Sequence, residues 1–215
     1  GLVGIARNNT YAFLQNKRKD LILKTLKAFG DKRTFQDATI KTLEIFSHEL
    51  GFDYAEAYKL SANNIELIRT AYWPKNTDLR EGDSESVRYL KDDGLPGKVW
   101  SSMNIEIIHK ADNTGLLKNM MLNETESIQT AVGIPILLQG RLISIFCFGS
   151  KVHRKKIEQA IYSDVSIQIA SAMERKLSQN QLSDFFQYSP NLIAVIGLDG
   201  FIKMANPAFV KTFNY

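Results

Sequence analysis

One cysteine and three histidines are the side chains of this 215-residue sequence best suited to nucleophilic, acid–base or metal chemistry near neutral pH. Cys147 stands within Ile143 to Gly149, where alternation places Ile143, Ile145 and Cys147 on one face of a strand that is apolar on both sides. Such a thiol is a buried, inert hydrophobe rather than a nucleophile. His109 and His153 have no Cys, His, Asp or Glu neighbour at ligand spacing, so no metal site is predicted. His48 precedes Gly51, a residue that ends a helix, and is expected on that helix's surface. Gly94-Leu95-Pro96-Gly97-Lys98-Val99-Trp100 lacks the third glycine of a dinucleotide loop and the Lys-Ser/Thr pair of a phosphate loop. No catalytic residue is predicted.

These residues need a scaffold, and the Gly94 to Trp100 stretch is its pivot. Gly94 and Gly97 tolerate unusual backbone, Pro96 suits a first helical turn, and Trp100 is expected as a buried aromatic plug behind the turn. Upstream, residues 10–29 carry Leu14, Leu21 and Ala28 seven apart, an amphipathic helix that Gly30 ends. Thr34 is the expected N-cap of a second helix, with Asp37 three residues on, Ile40, Leu43, Phe46 and Leu50 buried, and Gly51 as the stop. Strands at 54–60 and 65–73 form a hairpin through Asn63-Asn64, and 74–93 is polar and irregular.

Beyond the pivot, a short strand at 105–108 leads to a variable region at 110–127 with a candidate short helix. Residues 129–138 and 142–149 are apolar on both faces and predict a central hairpin, with a bulge or unpaired amide at Pro135. From about residue 154 a long helix carries Ile157, Ile161, Val165, Ile169, Ala172 and Met173 in one stripe, continued by Leu177 and Leu182. The closing 189–215 segment reads as strand, Asp199-Gly200 turn, strand and the helix start Asn206-Pro207-Ala208.

A hydrophobic share of 44% and a charged share of 23% describe an ordinary globular chain able to bury a core. The net charge of +4 is mild, and the basic runs Lys17-Arg18-Lys19 and Lys151 to Lys156 accompany helical periodicity, so solvated helix faces are expected rather than a nucleic-acid site. A single cysteine fits a reducing, cytoplasmic setting. No segment approaches the ~18–20 consecutive apolar residues of a membrane span. Beginning at Gly1 and stopping at Tyr215 inside a pattern, the sequence is expected to be a piece of a longer protein, whose parent could be membrane-associated.

The Gly-Leu-Pro-Gly-Lys-Val-Trp stretch resembles the Gly-(Leu)-Pro-Gly-Arg-Val-Trp segment of GAF domains, with Lys98 in the arginine place. The order of helix, Gly51 to Tyr58 strand, this motif, Gly133-Ile134-Pro135-Ile136 and a final hairpin extends the resemblance over about 30–175. It implies an α+β fold: an antiparallel sheet flanked by helices, then a long helix at 154–188. Residues 189–215 resemble the truncated start of a PAS domain, a partial PAS hairpin; residues 1–29 would be a separate N-terminal helix.

The resemblance implies a ligand pocket between the sheet and the variable segments, to which Trp100, His109, Asn119, Met120 and Met121 would contribute; the same side chains also suit plain core filling. No cofactor is predicted. An unknown small ligand is possible, but bilin attachment is not expected, since no cysteine lies in 110–127. Methionine sulfoxide reduction, which some GAF relatives perform, needs more than one cysteine. Ser47-His48-Glu49-Leu50 resembles the opening of a histidine-kinase phospho-acceptor box, but Gly51-Phe52-Asp53 departs from its continuation.

GAF and PAS modules in this order imply a non-catalytic sensory fragment of a bacterial signalling protein, with a kinase or other output domain downstream. Leu14, Leu21, Ala172, Met173, Leu177 and Leu182 are expected to pair helices in a homodimer. A ligand-free structural dimerisation module is the alternative, and a redox enzyme using Cys147 is a third reading.

Overall fold

The computed structural model describes residues 2–31, 34–74, 87–109, 128–154 and 159–214, with the side chains of 2–11, 13 and 14 outside that set. The expected pocket residues Asn119, Met120 and Met121, the variable region at 110–127 and the side chain of Leu14 therefore lie outside the described residues. Two compact units divide at Met173/Glu174. Among the described residues, no helix is long and apolar enough to cross a membrane.

Helix α1 (Leu2–Asp31) starts earlier than its periodicity suggests and runs one residue past Gly30. Helix α2 (Phe35–Leu50) is capped at both ends as its sequence dictates. Thr34 Oγ1 accepts the Asp37 N–H at 3.0 Å and donates to Asp37 Oδ2 at 2.7 Å, while Gly51 takes the left-handed conformation.

Strands β1 (Tyr54–Leu60), β2 (Leu67–Trp73), β3 (Arg88–Tyr89), β4 (Glu106–His109), β5 (Thr130–Leu138) and β6 (Arg141–Ser150) make one antiparallel sheet in the order β3-β2-β1-β6-β5-β4. Asn64, with φ of 57°, turns the chain between β1 and β2. Gln139 and Gly140, at φ of 50° and 78°, form the two-residue turn between β5 and β6, where paired positive φ matches strand twist.

Helices α1, α2 and the first part of α4 (Gln159–Tyr188) cover one sheet face. Ala55, Ala57 and Ala71 leave room there, while Phe46 of α2 stacks on Phe148 of β6 with ring centres 5.6 Å apart. Lys24 bridges α1 to Glu49 of α2, and Arg18 bridges α1 to Asp164 of α4 at 3.0 Å. The expectation that Leu21, Ala172 and Met173 await a partner chain is corrected: all three are buried in this chain's own helical layer. Among the expected dimer residues, Leu177 and Leu182 are exposed, at 37% and 70%.

The alternation that placed Ile143 with Ile145 and Cys147 is also corrected. The β5–β6 register slips between Ile136 and Leu137, pairing Ser144 with Ile136 and Leu142 with Leu137, so Ile143 is the extra residue of a bulge and packs on the helix side. This bulge lies one position past Pro135. β4 begins opposite Gly133, so the missing N–H of Pro135 falls where β5 has a single neighbouring strand.

In the second unit, β7 (Ala194–Ile196) and β8 (Ile202–Ala205) form a hairpin followed by α5 (Pro207–Phe213). Asn206 organises it. Its Oδ1 accepts from Ile193 N and Phe209 N, each at 3.0 Å, and its Nδ2 donates to Asn191 O at 2.8 Å and Ser189 O at 3.3 Å. Every hydrogen-bonding site of this buried amide is thus used.

Candidate functional site

The second sheet face is covered by α3 (Gly94–Ser102), the helix that the Gly-Leu-Pro-Gly stretch opens. Gly94 has φ of +58°, and a Cβ on Gly97 would sit 2.3 Å from the Leu90 carbonyl oxygen, so the turn needs glycine at both places. Leu95 and Val99, one helical turn apart, are the residues driven fully into the core. Gly133 of β5 admits them, because a Cβ there would lie 2.4 Å from Val99 Cγ2. Trp100 is not the plug: it is half-buried and packs on the edge of this cluster, since one residue beyond Val99 the helix has turned away by about 100°. Lys98 Nζ binds Glu106 Oε2 at 3.2 Å and ties α3 to β4.

Beneath α3 lies a polar cluster that the periodicity of the strands did not announce. Arg69 Nη1 of β2 donates to Glu56 Oε1 of β1 at 2.7 Å, and Tyr58 OH donates to Glu56 Oε2 at 2.5 Å. Both charged side chains are fully buried. The Tyr89 ring meets Tyr58 edge-on at 5.5 Å, and Cys147 is the cross-strand partner of Glu56 on β6. Thr70, the extra residue of a bulge opposite Ala57 and Tyr58, brings Arg69 onto the face of Tyr58. A single charge in the middle of each arm of one hairpin, Tyr54 to Tyr58 and Leu67 to Ala71, was the available signal.

The cluster is closed rather than reactive. Burial, reinforced by the Glu56 carboxylate, pushes the Tyr58 phenol and the Cys147 thiol well above their ordinary values, and burial also raises Tyr89. On the helix side, burial pushes Tyr162 up to about 12, against the lowering influence of Arg154. Thiolate chemistry at Cys147 is disfavoured by the same two causes.

These shifts carry a pH dependence of known sign. Groups that stay protonated when folded but ionise when unfolded stabilise fully below the unfolded value, and that stability is lost as pH rises toward the folded value. Denaturation midpoints should therefore hold to about pH 9 and then fall, first through Cys147 and then through the tyrosines, by about 1.4 kcal/mol per pH unit for each such group. Urea titrations between pH 7 and pH 11 check this; stability flat to pH 11 contradicts it.

His109 and Trp100, both expected in one pocket, lie on opposite faces of the sheet. Ile108 points to the α3 side, so the next residue, His109, faces the helices; its Nδ1 is 3.3 Å from Thr130 Oγ1 and its ring 4.8 Å from that of His153. His48 is exposed near the end of α2 and meets Trp73 edge-on at 5.1 Å.

Two of the cavities formed by described residues include neither Trp100 nor His109. One of about 280 Å³ lies between the start of α2 and the β1–β2–β3 edge, lined by Phe35, Gln36, Lys59, Ile68, Thr70 and Arg88 among others. The other, about 450 Å³, lies where α4 passes β5 beside the residues that precede β4, lined by Ile105, Pro135, Leu137, Ser163 and Ile167 among others.

No protein-family model matches the chain, and no curated protein matches it. Solved structures do. A GAF domain from an Acinetobacter phosphoenolpyruvate-protein phosphotransferase superposes with a TM-score of 0.61 at 11% identity, covering 76% of this chain and 97% of that one. The GAF domain of the corresponding Coxiella burnetii protein gives 0.62 at 15% identity, covering 77% and 97%. The free methionine-R-sulfoxide reductase of Neisseria meningitidis, solved with its substrate, gives 0.60 at 11% identity, covering 77% and 91%. The fold is that of GAF domains.

Proposed function

We propose that the chain is a sensory or regulatory module of a bacterial signal-transduction protein, in which a small ligand or a protein partner acts on the GAF fold and the response leaves through the long helix. The observation that carries this reading is α4. Its first half supplies Ile161, Val165, Ile169 and Met173 to the core of the sheet, and the same helix continues to Tyr188 with Leu182 and Phe185 exposed at 70% and 64%. A helix rooted in a core at one end and apolar on its surface at the other is suited to pairing with its copy in a dimer. A kinase is the downstream output we favour, with the module itself in the cytoplasm and residues 189–215 as the start of a PAS domain. The closed cluster around Glu56 supports a role other than catalysis at Cys147 or Glu56.

Leu182→Glu together with Phe185→Glu should convert a dimer to a monomer while leaving the melting of the sheet domain unchanged. Met173 is unsuitable for this test because it is buried at home. Light scattering at tens of micromolar reads the outcome, and a monomeric unmutated chain would sink the dimeric relay.

A ligand-free dimerisation module is the second reading. It is favoured by the described part of the α3 face, where Leu95, Val99, Tyr58 and Tyr89 already fill the space against the sheet. Library screening by melting shift separates the two: a small molecule that stabilises the folded chain supports the sensor, and a library without one supports the dimerisation module.

A further inference from the structure

We propose that His109 and His153 form a two-imidazole site for a divalent transition-metal ion, Cu²⁺ or Zn²⁺, that fastens the end of β4 to the connection leading into α4. The residues are far apart in sequence, and folding sets their rings 4.8 Å apart at an interplanar angle of 50°. That separation is what two ligands of one ion require. A metal–nitrogen bond of ~2.0–2.1 Å, plus ~1.1 Å from nitrogen to ring centre, puts each centroid ~3.2 Å from the ion; ligand angles between ~90° and ~109° then place the centroids ~4.5–5.2 Å apart. Stacked rings would instead be nearly parallel.

The surroundings fit as well. Thr130 Oγ1, which accepts the Arg154 N–H at 3.0 Å, lies 3.3 Å from His109 Nδ1. A proton shared from Nδ1 to that hydroxyl leaves Nε2 of His109 as the ligand atom, the outer partner that metal-binding histidines ordinarily have. His153 is exposed and His109 half-buried, so an ion can enter and keep water in its remaining positions. Among the described residues no group of three or more His, Cys, Asp or Glu converges, so the described donors are these two imidazoles. Imidazole donors without thiolate or carboxylate select Cu²⁺ and Zn²⁺ over Mg²⁺ or Ca²⁺, with Cu²⁺ the tighter.

The two ligands belong to different elements, joined among the described residues through Thr130, which both His109 and Arg154 approach. Arg154, the residue after His153, donates Nη1 to Leu50 O at 2.8 Å and also binds Gly51 O, closing the end of α2. An ion held by His109 and His153 would therefore stiffen the junction of β4, the end of α2 and the start of α4.

The test is titration of the untagged protein with Cu²⁺ and, separately, Zn²⁺, followed by calorimetry and, for Cu²⁺, by electron paramagnetic resonance. The sequence has three histidines, so the controls are complete. One ion per chain is expected, with coupling to two imidazole nitrogens. Loss of a ligand should cost at least as much as loss of an outer partner, about tenfold or more in affinity, for His109→Ala and for His153→Ala. His48→Ala should bind as the unaltered protein does. If His109→Ala does not fold, His109→Gln and the exposed His153→Ala decide. Binding that survives both substitutions, binding lost on His48→Ala, or no binding below millimolar metal overturns the proposal.

Discussion

Arg69→Met should destabilise the sheet domain by about 3–5 kcal/mol, although methionine fills most of the volume. The loss comes from what stays behind. Glu56 would keep the Tyr58 hydroxyl on Oε2 but lose the 2.7 Å contact to Oε1, leaving a fully buried carboxylate half satisfied. Glu56→Leu alone should be similarly costly, because it takes the carboxylate from a fully buried guanidinium. Replacing both together removes the unmatched charge, and the double variant should recover most of the stability. It would still leave Tyr58 OH without its acceptor, at about 1–3 kcal/mol, so adding Tyr58→Phe should bring the protein near or above its starting stability. Urea denaturation at constant slope measures the series. A single Arg69→Met variant as stable as the unaltered chain would show that the pair is not a closed, dry network. If the triple variant is stable yet no longer responds to a ligand that stabilises the parent, the pair is kept for signalling rather than for folding.

Much of the scaffold was legible because its local chemistry and its burial agree. Thr34 with Asp37, Gly51 and Asn64 each favour one backbone conformation, and each adopts it in the structure. The two glycines and Pro96 likewise opened α3. Face assignments were harder. Each of the two bulges in the six-stranded sheet inserts one residue, at Thr70 and at Ile143, and one residue is all that moves a side chain to the other face of a sheet. That is why Ile143 parted from Cys147. His109 extends β4 one position beyond the apparent strand and follows the pleat away from Trp100. The helical stripes of α1 and α4 were correctly apolar, but an apolar stripe states only that something covers it. Here the cover is mostly α2 and the sheet of the same chain.

Phe148→Ala should be among the costliest single changes on the helix side, at about 3–5 kcal/mol for loss of a buried large aromatic. Three rings converge on it: Phe46 stacked at 5.6 Å, Phe52 at 5.3 Å and Phe146 edge-on at 6.5 Å. Each such pair adds about 0.5–1.5 kcal/mol beyond area, which places the expected value at the upper end. The surroundings cannot readily collapse. Phe52 is held under the Arg154 guanidinium, 4.6 Å from its ring centre, and Phe46 sits on a helix capped at both ends. Trp100→Ala, on the other face, should cost clearly less, because Trp100 is only partly buried, at the edge of its cluster. Phe148→Leu should return much of the loss by refilling the cavity. Denaturant midpoints of the three variants, measured with the metal-free protein, order them. A Phe148→Ala midpoint indistinguishable from that of Trp100→Ala would mean that α2 can sink into the vacated space, and the layer that roots α4 would then be a yielding support rather than a fixed one.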